Sequence, residues 1–175
     1  DIEKSIKIFN NKLGYNPSFF SYPFGEYNLE QKNYISNNFE FAFGQHSGVI
    51  DLNKDRYELP RFPINEKYGE MKRFKEVISY LPLQYRIIKP ENKFMKDGEN
   101  PPKMTIEFFE DQKNLENINC FSNEGSKWRK TKIVLIDNIL NINFSEKFIE
   151  RRGRINCSLK DKNGWRFSGF QFVQN

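Results

Sequence analysis

A chain of 175 residues holds one ordinary domain or two small ones. With 37% hydrophobic and 29% charged residues, it falls outside the disordered class, and no apolar run approaches the roughly 20 residues that cross a bilayer. Its net charge of +5 is unevenly held, because residues 1–80 carry 11 Lys/Arg against 11 Asp/Glu and residues 81–175 carry 17 against 12. That balance suits either contact with an acidic polymer or a plain solvated basic face.

The opening residues Asp1-Ile2-Glu3-Lys4 lack an initiator Met and the basic-then-apolar layout of a signal peptide, so the natural start is expected upstream and the compartment stays open. Ile2, Ile6, Phe9 and Leu13 recur at helical spacing, with Gly14 placed to end that helix. Ser18–Tyr22 reads as a short buried strand broken by Pro23 and Gly25. Asn28 is placed to cap a second helix reaching about Asn37, and Phe39–Phe43 follows as a second strand before Gly44. Tyr57–Phe62 suggests a further strand, and Glu70–Leu81 a third helix with Phe74, Ile78 and Leu81 on one face. Helix alternating with strand is the pattern of a parallel α/β sheet or barrel.

The pattern changes after Pro82. Tyr85–Ile88 is strand-like and leads into polar, proline-bearing sequence ending Asn100-Pro101-Pro102. Short runs at Met104–Phe109, Ile118–Phe121, Lys132–Ile136, Ile139–Phe144, Arg154–Leu159 and Trp165–Val173 are separated by Asn, Asp, Gly and Lys clusters. They predict a small antiparallel β-sandwich over residues 83–175, following an α/β unit over 1–82. A short piece of parallel sheet leaves an edge and an apolar face uncovered, so a segment upstream is expected to complete it.

Three segments carry the functional reading: Phe20-Ser21-Tyr22-Pro23-Phe24-Gly25-Glu26-Tyr27, then Phe41-Ala42-Phe43-Gly44-Gln45-His46-Ser47-Gly48, then Leu59-Pro60-Arg61-Phe62-Pro63. In this order they resemble the later part of the NodB-homology polysaccharide deacetylases, carbohydrate esterase family four, over roughly residues 1–80. The resemblance implies an incomplete deformed (β/α) barrel and removal of N- or O-acetyl groups from a carbohydrate polymer. It also implies a divalent metal such as zinc, held by an Asp and two His. Such a metal lowers the pKa of water while a carboxylate takes its proton. The paired-Asp and His-x-x-x-His motifs are absent and the chain has one His, so the metal is expected on residues upstream and this chain alone is expected to be inactive.

By the same resemblance, Ser21-Tyr22-Pro23-Phe24 matches an Arg-x-Pro-aromatic motif. Phe24 would offer its backbone N–H to the developing oxyanion, and Tyr22, Pro23 and Phe24 would border the sugar. The alternative is that Tyr22 and Phe24 are core aromatics beside a turn. Ser21 stands where the family's arginine orients the base carboxylate, and a serine forms no bidentate fork. Arg61 is the nearest substitute, or else a structural arginine. No fourth, Asp-rich motif is recognisable, for Asp51 and Asp55 sit in what reads as a solvated turn. His46 occupies a position where the family tends to have Gln, and Glu26 either borders the groove or caps the next helix.

Cys120 and Cys157 are the only cysteines. In the oxidising compartment the resemblance implies, whether periplasm, cell envelope or exterior, they are disulfide candidates; elsewhere they would be buried thiols. The sequence from Gly153 to Cys157, followed by Trp165–Phe172, is similar to the β-domain tail of some bacterial deacetylases. A rival reading makes residues 83–175 a carbohydrate-binding or structural module, with Trp128, Trp165 or Phe170 stacking on sugar rings. Lys127-Trp128-Arg129-Lys130 and Arg151-Arg152-Gly153-Arg154 combine basic and aromatic residues, yet no nucleic-acid motif accompanies them, and no nucleic-acid partner is expected.

Overall fold

In the computed structural model, residues 1–174 are described, beginning with helix α1 at Ile2–Leu13. Gly14 ends it in the left-handed conformation, at φ 80°, and returns its N–H to Asn10 O at 2.7 Å. Ile2, Ile6 and Phe9 are half-buried, whereas Leu13 is exposed. Strand β1, Phe19–Ser21, is followed by α2, Leu29–Ser36. A capping box starts α2: Asn28 Oδ1 accepts from Gln31 N at 2.8 Å, and Gln31 Oε1 accepts from Asn28 N at 3.0 Å. The cap is therefore Asn28 and not Glu26. Strand β2, Phe41–Phe43, lies parallel to β1 with Phe19 opposite Phe41.

The strand expected at Tyr57–Phe62 shrinks to one parallel bridge, Leu59 beside Phe43. Pro60 and Pro63 have no N–H to extend a ladder. Helix α3 spans Met71–Ile78, and its buried residue is Val77; Phe74 and Ile78, expected on the inner face, are exposed. The helix stops before Leu81, because a residue preceding proline is steered away from helical backbone. Leu81–Pro82 instead forms β3.

The later strands are β4 at Ile87–Lys89, β5 at Met104–Glu107, β6 at Asn119–Ser122, β7 at Arg129–Lys130, β8 at Lys132–Ile136, β9 at Ile139–Asn143, β10 at Arg152–Asp161 and β11 at Gly164–Val173. They build a five-stranded sheet, β3-β11-β10-β6-β7, and a four-stranded antiparallel sheet, β4-β5-β9-β8. Met104, Ile106, Leu140 and Ile142 from one sheet share a core with Ile155, Leu159 and Phe172 from the other. Alternation along β10 buries Gly153, Ile155, Cys157 and Leu159 in turn. Cys157 faces Cys120 across β10 and β6, and the two form a disulfide with Cα atoms 4.1 Å apart.

The described residues are thus mixed α/β with three α-helices and mostly strands, and no sheet among them closes into a barrel. Among the described residues no helix is long and apolar enough to cross a membrane. The α/β part keeps its own small core of Tyr22, Tyr27, Ile35, Phe39 and Ala42. It is tied to the sandwich at several points: β3 runs parallel to β11, Gly48 bridges Ser168, and Glu26 pairs with Arg151 at 2.9 Å and Arg152 at 3.6 Å.

Candidate functional site at the ends of the parallel strands

Parallel strands end on one side, and in open α/β sheets that side is where ligands gather. Here β1 leads into Tyr22–Gly25, β2 leads into Gly44–His46, and Leu59, bridged to Phe43, leads into Pro60-Arg61. The three segments singled out in the sequence thus leave β1, β2 and the single bridge beside β2 at a common end. Tyr22 N donates to Phe43 O at 3.0 Å and Gly44 N to Leu59 O at 2.9 Å, which fixes their relative heights.

Pro23–Gly25 forms a single tight 3₁₀ turn, closed by Gly25 N–H donating to Tyr22 O at 2.8 Å. Gly25 has φ 69°, and so unusual a sign also occurs at Phe24, φ 58° and ψ 8°. A bulky residue in the left-handed region costs roughly 1–3 kcal/mol. The strain turns the Phe24 ring outward, where it is 63% exposed with the Arg152 guanidinium 5.5 Å from its centroid. Pro23 is exposed beside it. Tyr22 points the other way: it is 4% exposed and stacks on Tyr27 with ring centroids 4.5 Å apart. Its hydroxyl finds no hydrogen-bond partner among the described residues, and burial, aided by Asp55 and Glu58, pushes its pKa up.

Gln171 on β11 pins the turn from beneath, its Nε2 donating to Gly25 O at 3.0 Å. Glu26, next in the chain, is held by Arg151 and Arg152 and borders the sandwich.

Arg61 donates from Nε to Gly44 O at 3.2 Å and lines an outer cleft of about 440 Å³ with Gln45, Ser47, Arg73 and Trp128. Neither Tyr22 nor Phe24 lines that cleft, so Arg61 does not share one concavity with them. His46 sits between this cleft and an inner cavity. Burial lowers its pKa to about 4, opposed by the charge of Glu58 and assisted by that of Lys93. At neutral pH its imidazole is uncharged and has no acidic proton to give a leaving group.

The inner cavity, of about 40 Å³, is bounded by Tyr27, His46, Glu58, Tyr85, Lys93 and Ser168 and has room for a few waters. Glu58 accepts from Tyr27 Oη at 3.0 Å and from Lys32 Nζ at 3.4 Å, and Lys32 also reaches Asp55 at 2.7 Å. Burial pushes the Tyr27 pKa well up, reinforced by Glu58. Lys93, itself buried, donates to Pro90 O at 2.7 Å, and burial pushes its pKa down. Sequence reasoning missed this cluster. Its members come from five separated stretches of the chain that meet only through tertiary packing, so no spacing betrays them. Asp51 and Asp55 each accept a backbone N–H two residues on, the local turn chemistry of aspartates.

Of the three aromatics considered for sugar stacking, Trp128 and Trp165 are exposed while Phe170 is buried. Among the described residues no three His, Cys, Asp or Glu side chains converge as ligands for a metal, so the residues present do not fit one. No family model matches this chain, and comparison with curated proteins and with solved structures returned no match either.

Proposed function

We propose that this chain is the C-terminal portion of a NodB-homology polysaccharide deacetylase, an incomplete deformed barrel over residues 1–82 followed by the β-sandwich. The parent protein would hydrolyse N- or O-acetyl groups on a carbohydrate polymer. The observation that carries the reading is the exit of the three resembling segments at one end, from β1, from β2 and from the single parallel bridge of Leu59 beside β2. The edge strand β1 adds support, since Phe19 on it is 64% exposed and its outer side is open to further barrel strands.

In this proposal the strained turn presents the Phe24 backbone N–H to the tetrahedral oxyanion, an interaction of about 3 kcal/mol where the donor is preorganised. Pro23 and Phe24 border the sugar, and Tyr22 holds the turn from within the core. Arg61 lines the outer cleft, away from Tyr22 and Phe24, so the arginine absent at Ser21 is left to residues outside this chain. The divalent metal belongs to residues outside this chain. A Cys120–Cys157 disulfide accords with an oxidising compartment. The sandwich as a carbohydrate-binding module is a second reading, favoured by the exposure of Trp128.

The test joins this chain to the residues that precede it in its parent protein and measures acetate release from an N-acetylated oligosaccharide with added zinc. Release by the longer protein and none by this chain is the expected result. A longer protein that lacks a paired Asp and a His-x-x-x-His motif and releases no acetate sinks the proposal.

A further inference from the structure

The outer cleft is assembled from both parts of the chain: Arg61, Tyr68 and Arg73 line it from one side, Trp128, Arg154 and Asn156 from the other. Three arginines line it and no Asp or Glu does. Of the six arginines elsewhere, five are matched among the described residues: Arg86 pairs with Glu107, Arg129 with Glu146, Arg151 and Arg152 with Glu26, and Arg166 with Asp161, while Arg56 lies over the Phe41 ring. Arg61, Arg73 and Arg154 have no carboxylate partner within 4.0 Å among the described residues.

Two of the three also lack full hydrogen bonding. Arg73 Nε is buried without an acceptor, while its guanidinium lies 5.0 Å from the Tyr68 ring centroid. Arg154 makes only a long bond from Nε to Gln171, at 3.4 Å, besides its backbone contacts. Burial and then the neighbouring charge of Arg152 push its pKa down, with Glu150 opposing. A cation partly withdrawn from water and set beside a second cation is stabilised by an anion brought to it.

The chemistry of the anion follows from the donors. A guanidinium is a planar fork that matches the two oxygens of a carboxylate. Trp128, 52% exposed at the same cleft, offers a flat apolar face of the kind on which a pyranose ring lies. A nucleic-acid strand asks for successive stacking platforms, whereas Tyr68 is already covered by Arg73 and approached by Lys67, leaving one indole.

We propose that this cleft binds an acidic polysaccharide, with uronate carboxylates at Arg73 and Arg154 and a sugar ring on Trp128. As a statement of which polymer is deacetylated, this rests on the deacetylase reading; as a statement of binding, it does not.

Calorimetric titration of this chain with a hexamer of mannuronate, with the neutral N-acetylglucosamine hexamer and with hexathymidylate tests it. The uronate should bind at least about tenfold more tightly than either other ligand, a margin that one charge-assisted pair supplies. R73Q and R154Q should each weaken uronate binding by about tenfold, and W128A should weaken it with the far-ultraviolet circular dichroism unchanged. If R154Q does not fold, R73Q and W128A carry the test. No uronate binding, equal binding of the neutral hexamer or of hexathymidylate, or unchanged affinity in R73Q overturns the proposal. Uronate binding by a longer protein that releases no acetate leaves the cleft standing and removes the deacetylase reading alone.

Discussion

Gly25 and Gln45 come from the ends of adjacent parallel strands and touch so closely that a Cβ on Gly25 would lie 2.7 Å from the Gln45 Cβ and nearer still to the Gln45 backbone nitrogen. The left-handed φ of 69° at Gly25 adds a second reason for glycine. Gly25→Ala should therefore destabilise the chain by about 2–4 kcal/mol. Gly14→Ala, at φ 80° but with open space around it, should cost only about 1 kcal/mol. Urea unfolding of the two variants separates them; equal losses would show that the contact with Gln45 is slack.

His46 should make stability depend on pH. Its folded pKa of about 4 lies below the ordinary 6.5, so between these values the unfolded chain binds a proton that the folded chain does not. The contribution is whole above about pH 6.5 and is lost as pH falls towards 4, amounting to roughly 2–3 kcal/mol. His46→Gln should flatten this part of the stability profile between pH 7 and 4. A variant whose profile parallels that of the parent chain would place the acid sensitivity elsewhere.

The Cys120–Cys157 bridge spans 37 residues of sequence and joins two strands already paired in register. Replacing both by Ser should lower stability by roughly 3–4 kcal/mol, chiefly by freeing the unfolded chain. The midpoint of chemical unfolding, with and without reductant, measures it; a reductant-insensitive midpoint in the parent chain contradicts the bridge.

Gln171 is the buried link between β11 and the strained turn. Gln171→Leu keeps the volume but leaves the Gly25 carbonyl without its donor, at a cost of about 1–3 kcal/mol. Exchange of the Gly25 amide hydrogen, which is bonded to Tyr22 O, should quicken in the variant more than exchange in β10. If the proposed deacetylase reading holds and Phe24 N–H meets the oxyanion, turnover of the longer protein should fall with it.

Much of the second half was readable because its strands alternate. Ile155, Cys157 and Leu159 turn inward between polar neighbours, and the expected run Lys132–Ile136 coincides with β8. The two-residue strands β3 and β7 escaped, since two residues show no period and Leu81 looked like the end of a helix. On α3 the apolar spacing points to the wrong face: Phe74 and Ile78 are apolar yet exposed, and Val77 is the buried residue of the helix. The turn at Tyr22–Gly25 was visible in its Pro and Gly, but its strain at Phe24 was not, because nothing in a Phe announces a positive φ. Arg61 was legible as a cation near the strand ends. Its orientation was not, because it is set by the carbonyl of Gly44 seventeen residues earlier.

The outer margin of β11 is occupied by scraps from distant parts of the chain: Gly48 beside Ser168, Leu81–Pro82 beside Arg166 and Phe167, and Phe94 beside Val173. Two of the three lie in the first 82 residues. A shortened protein beginning after Pro82 would keep every antiparallel strand of the sandwich and still expose the main-chain donors and acceptors along a ten-residue strand rich in aromatics. Such a margin invites strand-to-strand stacking between molecules. Severing the chain at the junction of its two parts should thus make the sandwich self-associate, because the α/β segment no longer covers the margin of β11.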